Sequence, residues 1–157
     1  MYLSENHDRQ RALDIVRASS SLPFVSKIVE VDGIPMLDGG IADSIPVQHA
    51  IDMGWQHNVV VLTRNKGWRD MGKDHKIPYL YKNYPRLRVA LSHRHRAYNE
   101  QIQLVDDLEA AGKITCIRPI RPLEVGRIEK DTDKLERLYE EGFMLGEAFC
   151  EKCVEKE

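Results

Sequence analysis

The sequence predicts an α/β layered fold, and three observations carry that expectation. Asn58-Val59-Val60-Val61-Leu62-Thr63 is a near-continuous apolar run, as in a parallel-sheet strand buried on both faces. Apolar stripes at helical spacing mark Pro85 to Ala111 and Asp131 to about Cys153. A second β-rich run, Ile114-Thr115-Cys116-Ile117-Arg118, falls between those two helices, so strands and helices alternate.

The elements follow in order. Arg9 to Ala18 reads as a helix, with Leu13, Val16 and Arg17 at helical spacing, and stops at Ser19-Ser20-Ser21-Leu22-Pro23. Lys27 to Val31 and Ile34 to Leu37, joined by Asp32-Gly33, form a hairpin signal with a type I′ turn. Pro35 cannot donate to a ladder and places its strand at an edge or start. A short helix from about Pro46 to Met53 takes Ser44 or Asp43 as its cap, and Gly54 closes it. Arg64 to Pro78 is a polar loop. The helix from Pro85 carries Leu87, Leu91, Tyr98, Ile102, Val105 and Leu108 on one stripe and stops at Gly112. Pro119 and Pro122 end the second strand. The last helix carries Leu135, Leu138, Phe143 and Leu145.

Composition bounds the function class. The 157 residues amount to one domain, with 42% apolar and 31% charged residues, as in an ordinary soluble protein. No apolar run reaches the ~18–20 residues of a membrane span, and the N-terminal residues lack the apolar core of a signal peptide. Three cysteines (Cys116, Cys150 and Cys153) form no disulfide framework, which favours a reducing, cytoplasmic setting. The net charge of −2 selects no partner class.

Asp38-Gly39-Gly40 is the motif with the most chemistry in it. It follows a short apolar run and leads into Asp43-Ser44-Ile45-Pro46. Two glycines let the backbone turn sharply and let a substrate approach closely. A carboxylate held there is placed to act as a base. The rival reading is a simple turn, and Asp32-Gly33, six residues earlier, is the same dipeptide in that bland role.

Ala18-Ser19-Ser20-Ser21-Leu22-Pro23, then Asp38-Gly39-Gly40 with Pro46, Ala50 and Gly54, then Val59 to Thr63, resembles the second half of a patatin-like phospholipase domain. The resemblance is to the bacterial patatin-type hydrolases and extends through Tyr98-Asn99 and Gly112 to Pro119. It implies part of a three-layer α/β/α sandwich with a mainly parallel sheet. It also implies a Ser–Asp dyad acting on acyl esters of lipids, with Asp38 as the base, Gly39 and Gly40 supporting it, and no cofactor or metal. Many family members carry asparagine just before the proline equivalent to Pro46, where this chain has Ser44-Ile45.

In that family the nucleophile lies N-terminal to the aspartate, in G-x-S-x-G at a strand-to-helix elbow, with a separate glycine-rich oxyanion loop. Neither is present here. Gly142 and Gly146 are the only glycines four apart, and they flank Met144 inside a helix. Ser19, Ser20 and Ser21 follow a helix rather than a strand and read as helix-end hydrogen bonders. The expectation is therefore the C-terminal half of a hydrolase domain, inactive alone, with the serine outside this chain. An uncovered sheet edge would promote self-association or association with the missing half. A degenerate family member that kept the fold and lost the chemistry is the third possibility.

Other candidates are weaker. Cys150-x-x-Cys153 has no second pair nearby, and His93 and His95 lack metalloprotease spacing. Lys82 to Arg96 holds Lys82, Arg86, Arg88, Arg94 and Arg96 with two histidines and no acid. It reads either as a solvated face or as a non-enzymatic binding surface for an anion such as a phospholipid headgroup, a phosphate or an acidic surface, or for nucleic acid. Glu129 to Glu157, with ten acids against five bases, balances it. No nucleic-acid motif accompanies it. Tyr79, Tyr81 and Tyr84 line an acyl site, touch a membrane interface, or pack under the long helix.

Overall fold

The computed structural model describes residues 9–73, 79–126 and 129–154, the side chains of Leu80, Cys153 and Val154 excepted. Residues 74–78 of the expected loop and the Cys153 thiol of the C-x-x-C pair lie outside that description. The elements run α1 (Arg9–Ser19), β1 (Val29–Val31), β2 (Ile34–Met36), α2 (Val47–Asp52), β3 (Asn58–Val61), α3 (Pro85–Ser92), α4 (Arg94–Ala110), β4 (Ile114–Ile117) and α5 (Thr132–Val154). Short 3-10 turns occupy Gly39–Ile41 and Tyr79–Tyr81. The fold is mixed α/β, with one antiparallel and one parallel strand pair.

The chain divides into two compact units, residues 1–45 with 72–98, and residues 46–71 with 99–157. In the first, β1 and β2 pair antiparallel with Val31 opposite Ile34. Asp32 and Gly33 both take positive φ, 53° and 74°, as the expected type I′ turn requires. Arg11 of α1 grips Asp32 with both Nε and Nη2, at 3.0 and 2.9 Å. Ile41, Tyr81 and Leu91 form the core of this unit, with Ile28, Leu37, Leu87 and Ala90 against it. Tyr81 thus packs beneath α3, and its hydroxyl accepts from the Phe24 N–H at 2.9 Å. Tyr79 is exposed.

In the second unit β3 and β4 are parallel, Asn58 opposite Ile114 and Val61 opposite Ile117. This is the parallel pairing that the apolar runs predict. Burial on both faces of β3 is not found: its residues alternate half-buried and exposed, and Val61 is 71% exposed. The sheet has two strands among the described residues. α5 reaches the Val61 side only across a cavity of about 210 Å³, so that face of β3 lacks a full cover.

Two further expectations are corrected. The helix from Pro85 to Ala111 is two helices, broken at His93, where φ and ψ reach −109° and 11°. No proline or glycine forces the break. Leu91 belongs to the first unit's core, whereas Ile102 and Val105 are buried in the second, so one stripe serves two cores. The α2 cap is Pro46, with no side-chain hydrogen bond; Asp43 and Ser44 lie before the cap position, and the Ser44 hydroxyl donates to the Gly40 carbonyl. The two later helix ends hold as expected. Gly112, at φ 68°, ends α4, and Asp131 Oδ1 accepts from the N–H groups of Asp133 and Lys134 to open α5.

Arg118 ties β4 to α4. Its side chain, 9% exposed, donates to Asp106 and Glu109, each at 2.8 Å. Arg69 also binds Asp106 at 3.0 Å, and Lys66 binds Glu109 at 3.0 Å. Burial alone would raise the Asp106 pKa, but hydrogen bonds and charge from Arg118 and Arg69 outweigh it and leave it lowered. A carboxyl with a lowered folded pKa stabilises the fold above its unfolded value, 3.8, and loses that contribution as pH falls through the folded one. The chain should therefore lose stability on acidification below about pH 4. Asp106→Ala should cost about 3 kcal/mol in denaturant unfolding at neutral pH, since it strips a buried guanidinium of one partner. It should also flatten that acid limb; an unchanged limb would assign acid sensitivity to another group.

Candidate active site

The site is built where β2 runs out. Leu37 anchors in the apolar core, and the next residue leaves the strand and caps the Gly39–Ile41 turn. The Asp38 backbone N–H donates to the Ser21 carbonyl at 2.9 Å, fixing it to the end of α1. Its Oδ1 accepts from the Gly40 N–H at 2.7 Å. Asp38 is half-buried, and among the described residues its Oδ2 accepts no hydrogen bond and the group forms no ion pair. The contrast with Asp32 is direct: the same dipeptide there is neutralised by Arg11.

The two glycines have different roles. A Cβ on Gly39 would meet nothing within 4 Å, so that side of the turn faces open space. A Cβ on Gly40 would lie 2.9 Å from Asp38 Oδ1 and push the carboxylate off its hydrogen bond. The Gly40 carbonyl accepts from the Ser44 hydroxyl at 2.7 Å and from Arg94 Nε at 3.2 Å. Arg94 is the residue that sequence reasoning missed. It was grouped with the basic run, and only the break at His93 brings it, at the start of α4, onto this turn.

The remaining candidates separate. Ser20 and Ser21 hydroxyls donate to the Val16 and Arg17 carbonyls at 2.9 and 2.6 Å, as helix-end bonders. Among the described residues no cluster of three His, Cys, Asp or Glu side chains is arranged to hold a metal ion. Burial raises the Cys116 pKa, which leaves it a poor nucleophile. An apolar cavity of about 100 Å³, lined by Ile28, Pro35, Met36, Leu37, Tyr84 and Leu87, lies at the strand that delivers Asp38. A larger one, about 730 Å³, opens in the second unit beside Trp55, His57, Asn58 and Lys113. It sits at the N-terminal ends of β3 and β4, whereas α/β sheets bind ligands at the C-terminal ends. The smaller cavity is lined by Leu37, the residue before Asp38.

Residues 3–51 match the family model of patatin-like phospholipase. That stretch contains Asp38, Gly39 and Gly40. Residues 84–155 match a different model, a domain of unknown function (DUF6363). The patatin-like segment therefore stops short of β3, and the expected extension through Gly112–Pro119 is not matched. The protein of Escherichia coli (strain K12) described as "Uncharacterized protein YjjU" is 28% identical over 151 residues. The alignment takes in 90% of this chain and 41% of that relative, so the chain spans about two fifths of the relative's length. No solved structure matches. Among the described residues no helix is long and apolar enough to cross a membrane.

The turn makes a stability prediction of its own. Gly40→Ala should destabilise by about 1 kcal/mol, the worth of the Asp38 hydrogen bond it displaces. Gly39→Ala should stay within about 0.5 kcal/mol of wild type. Parallel denaturant titrations check this, and equal costs at the two positions would discount the Asp38 contact.

Proposed function

We propose that this chain is the base-bearing portion of a patatin-like serine hydrolase acting on lipid acyl esters, within a three-layer α/β/α sandwich. Asp38 serves as the base of a Ser–Asp dyad, and the serine and oxyanion loop lie in an N-terminal half outside this sequence. The observation that carries the reading is the state of Asp38: one oxygen held by a backbone N–H, the other open, on a turn rigid at both ends. A carboxylate so placed can take the proton of a serine hydroxyl as its oxygen attacks an ester carbonyl. The proton then passes to the departing alkoxide, and water, deprotonated by the same carboxylate, releases the acid.

Two further features support a lipid substrate. The apolar cavity at Leu37 and Tyr84, on the strand that leads into Asp38, offers an apolar group a dry wall. Leu22, Phe24 and Val25 are exposed in the same unit as the cations of α3, which suits transient contact with a lipid surface. A second reading, a non-enzymatic anion-binding surface, is favoured by Arg86 and Arg88. Both are exposed and form no ion pair among the described residues.

In a polypeptide extended upstream of Met1 to include the serine-bearing half, Asp38→Asn should lower chromogenic-ester turnover by about 10²–10⁴-fold. Circular dichroism should remain unchanged. Near-normal turnover would remove Asp38 from the chemistry. The present 157 residues alone should show no ester turnover, and strong activity there would overturn the division of roles.

A further inference from the structure

The loop between α1 and β1 carries apolar side chains that its own unit does not bury. Leu22, Phe24 and Val25 are exposed, Val25 to 82%, within a turn closed by the Ser26 N–H on the Leu22 carbonyl at 2.9 Å. Their exposure is not slackness. Phe24 holds a φ of 67°, a region that a bulky residue rarely enters and keeps only where its surroundings impose it. The imposing contact is Tyr81. The hydroxyl of this buried residue accepts from the Phe24 N–H at 2.9 Å, and its ring centroid lies 5.4 Å from that of Phe24. Strain held at an exposed apolar tip points to a use for the tip.

The same latch sets the tip among cations, which is an independent observation. Tyr81 closes the turn Tyr79–Tyr81, and the Lys82 ammonium sits over the exposed Tyr79 ring, 4.9 Å from its centroid. Lys27 follows the tip, and the next residue, Ile28, lines one cavity together with Tyr84. On α3, Leu87 packs into the core and leaves Arg86 and Arg88 exposed on either side of it. Among the described residues Lys27, Lys82, Arg86 and Arg88 form no ion pair. Residues 22–28 and 79–96 contain no acid at all.

We propose that the tip and its cations form an anchor for an anionic bilayer surface. Leu22, Phe24 and Val25 enter the boundary between headgroups and acyl chains, Tyr79 sits at headgroup depth, and the cations meet lipid phosphates. A soluble polyanion would engage the cations and give the apolar tip nothing to enter. A neutral bilayer would take the tip and leave four cations unmatched. An anionic bilayer matches both in one contact. Because the turn is already ordered, insertion freezes little further chain. As the surface through which a hydrolase of lipid esters meets its substrate, the anchor rests on the reading above; as a membrane contact it is measured without any turnover.

Cosedimentation of the whole chain with vesicles of phosphatidylcholine, with and without phosphatidylglycerol, tests the anchor. The chain should bind the anionic vesicles, release them as salt rises from about 0.1 to 0.5 M, and leave the neutral ones largely unbound. Arg86→Gln with Arg88→Gln should weaken binding about 25-fold, roughly fivefold for each cation. Val25→Asp, at an exposed position, should weaken it at least about tenfold with an unchanged melting curve. Tyr139→Asp, an equally exposed ring in the other unit, should bind as wild type does. No binding, equal binding to both vesicles, or a Val25→Asp or double-arginine variant that binds as wild type would each overturn the proposal. So would an equal loss in Tyr139→Asp, which would mark general adhesiveness, or capture by heparin with none by vesicles, which would assign the cations to a soluble polyanion. None of these readouts involves ester turnover, so failure here leaves Asp38 as the base, and failure of the Asp38→Asn experiment leaves the anchor.

Discussion

The carbonyl of Gly40 is the point on which the candidate site depends. It receives the Ser44 hydroxyl from one side and the Arg94 side chain from another, which holds its peptide plane against rotation. The N–H of the same residue holds Asp38 Oδ1. That N–H lies in the preceding peptide, between Gly39 and Gly40, so Ser44 and Arg94, the latter 54 residues away in sequence, brace the turn that carries Asp38 rather than the carboxylate itself. Preorganisation of this kind is what a base needs, because a carboxylate that wanders reacts less often in a productive geometry.

Asp32 and Asp38 show how one dipeptide is given two roles. At Asp32 the backbone adopts the left-handed region and the side chain is neutralised by Arg11, so charge and conformation both serve the hairpin. At Asp38 the backbone keeps negative φ and the side chain meets a neutral N–H. A fork of guanidinium donors would satisfy both oxygens; one peptide N–H satisfies one. The difference between the ion-paired and the half-open carboxylate is here a difference in donors, not in local sequence.

That is also why the sequence was legible in some places and not others. The type I′ turn, the serine hydroxyls at the end of α1 and the Gly112 stop are decided by residues within four positions of one another. The parallel pairing of β3 with β4 follows from two apolar runs with a helix between them. The break at His93 does not, because no proline or glycine marks it in the sequence. Ser44 is not the helix cap because α2 opens only at Val47, which puts Pro46 at the cap position and leaves Ser44 two residues short of it. Val61 fits a strand buried on both faces by composition, yet what covers a strand is set by elements elsewhere. Arg94 was hidden among five cations of the same run, and nothing local distinguishes it from Arg86 or Arg88.

The two matched segments meet in this turn. Asp38, Gly40 and Ser44 lie within residues 3–51, the patatin-like stretch, whereas Arg94 lies within 84–155. Three of the four residues in this hydrogen-bonded turn therefore come from one segment and the fourth from the other. Tyr81, between them, packs on Ile41 at the end of the turn, and Leu91 closes the same cluster from α3. The first unit draws α3 and the start of α4 from the second matched segment, and without them the Gly40 carbonyl would lose one of its two donors and Ile41 part of its cover. The boundary between sequence families is thus not a boundary in the physics of the site. Arg94 and Leu91, from the second matched segment, brace the turn that carries Asp38.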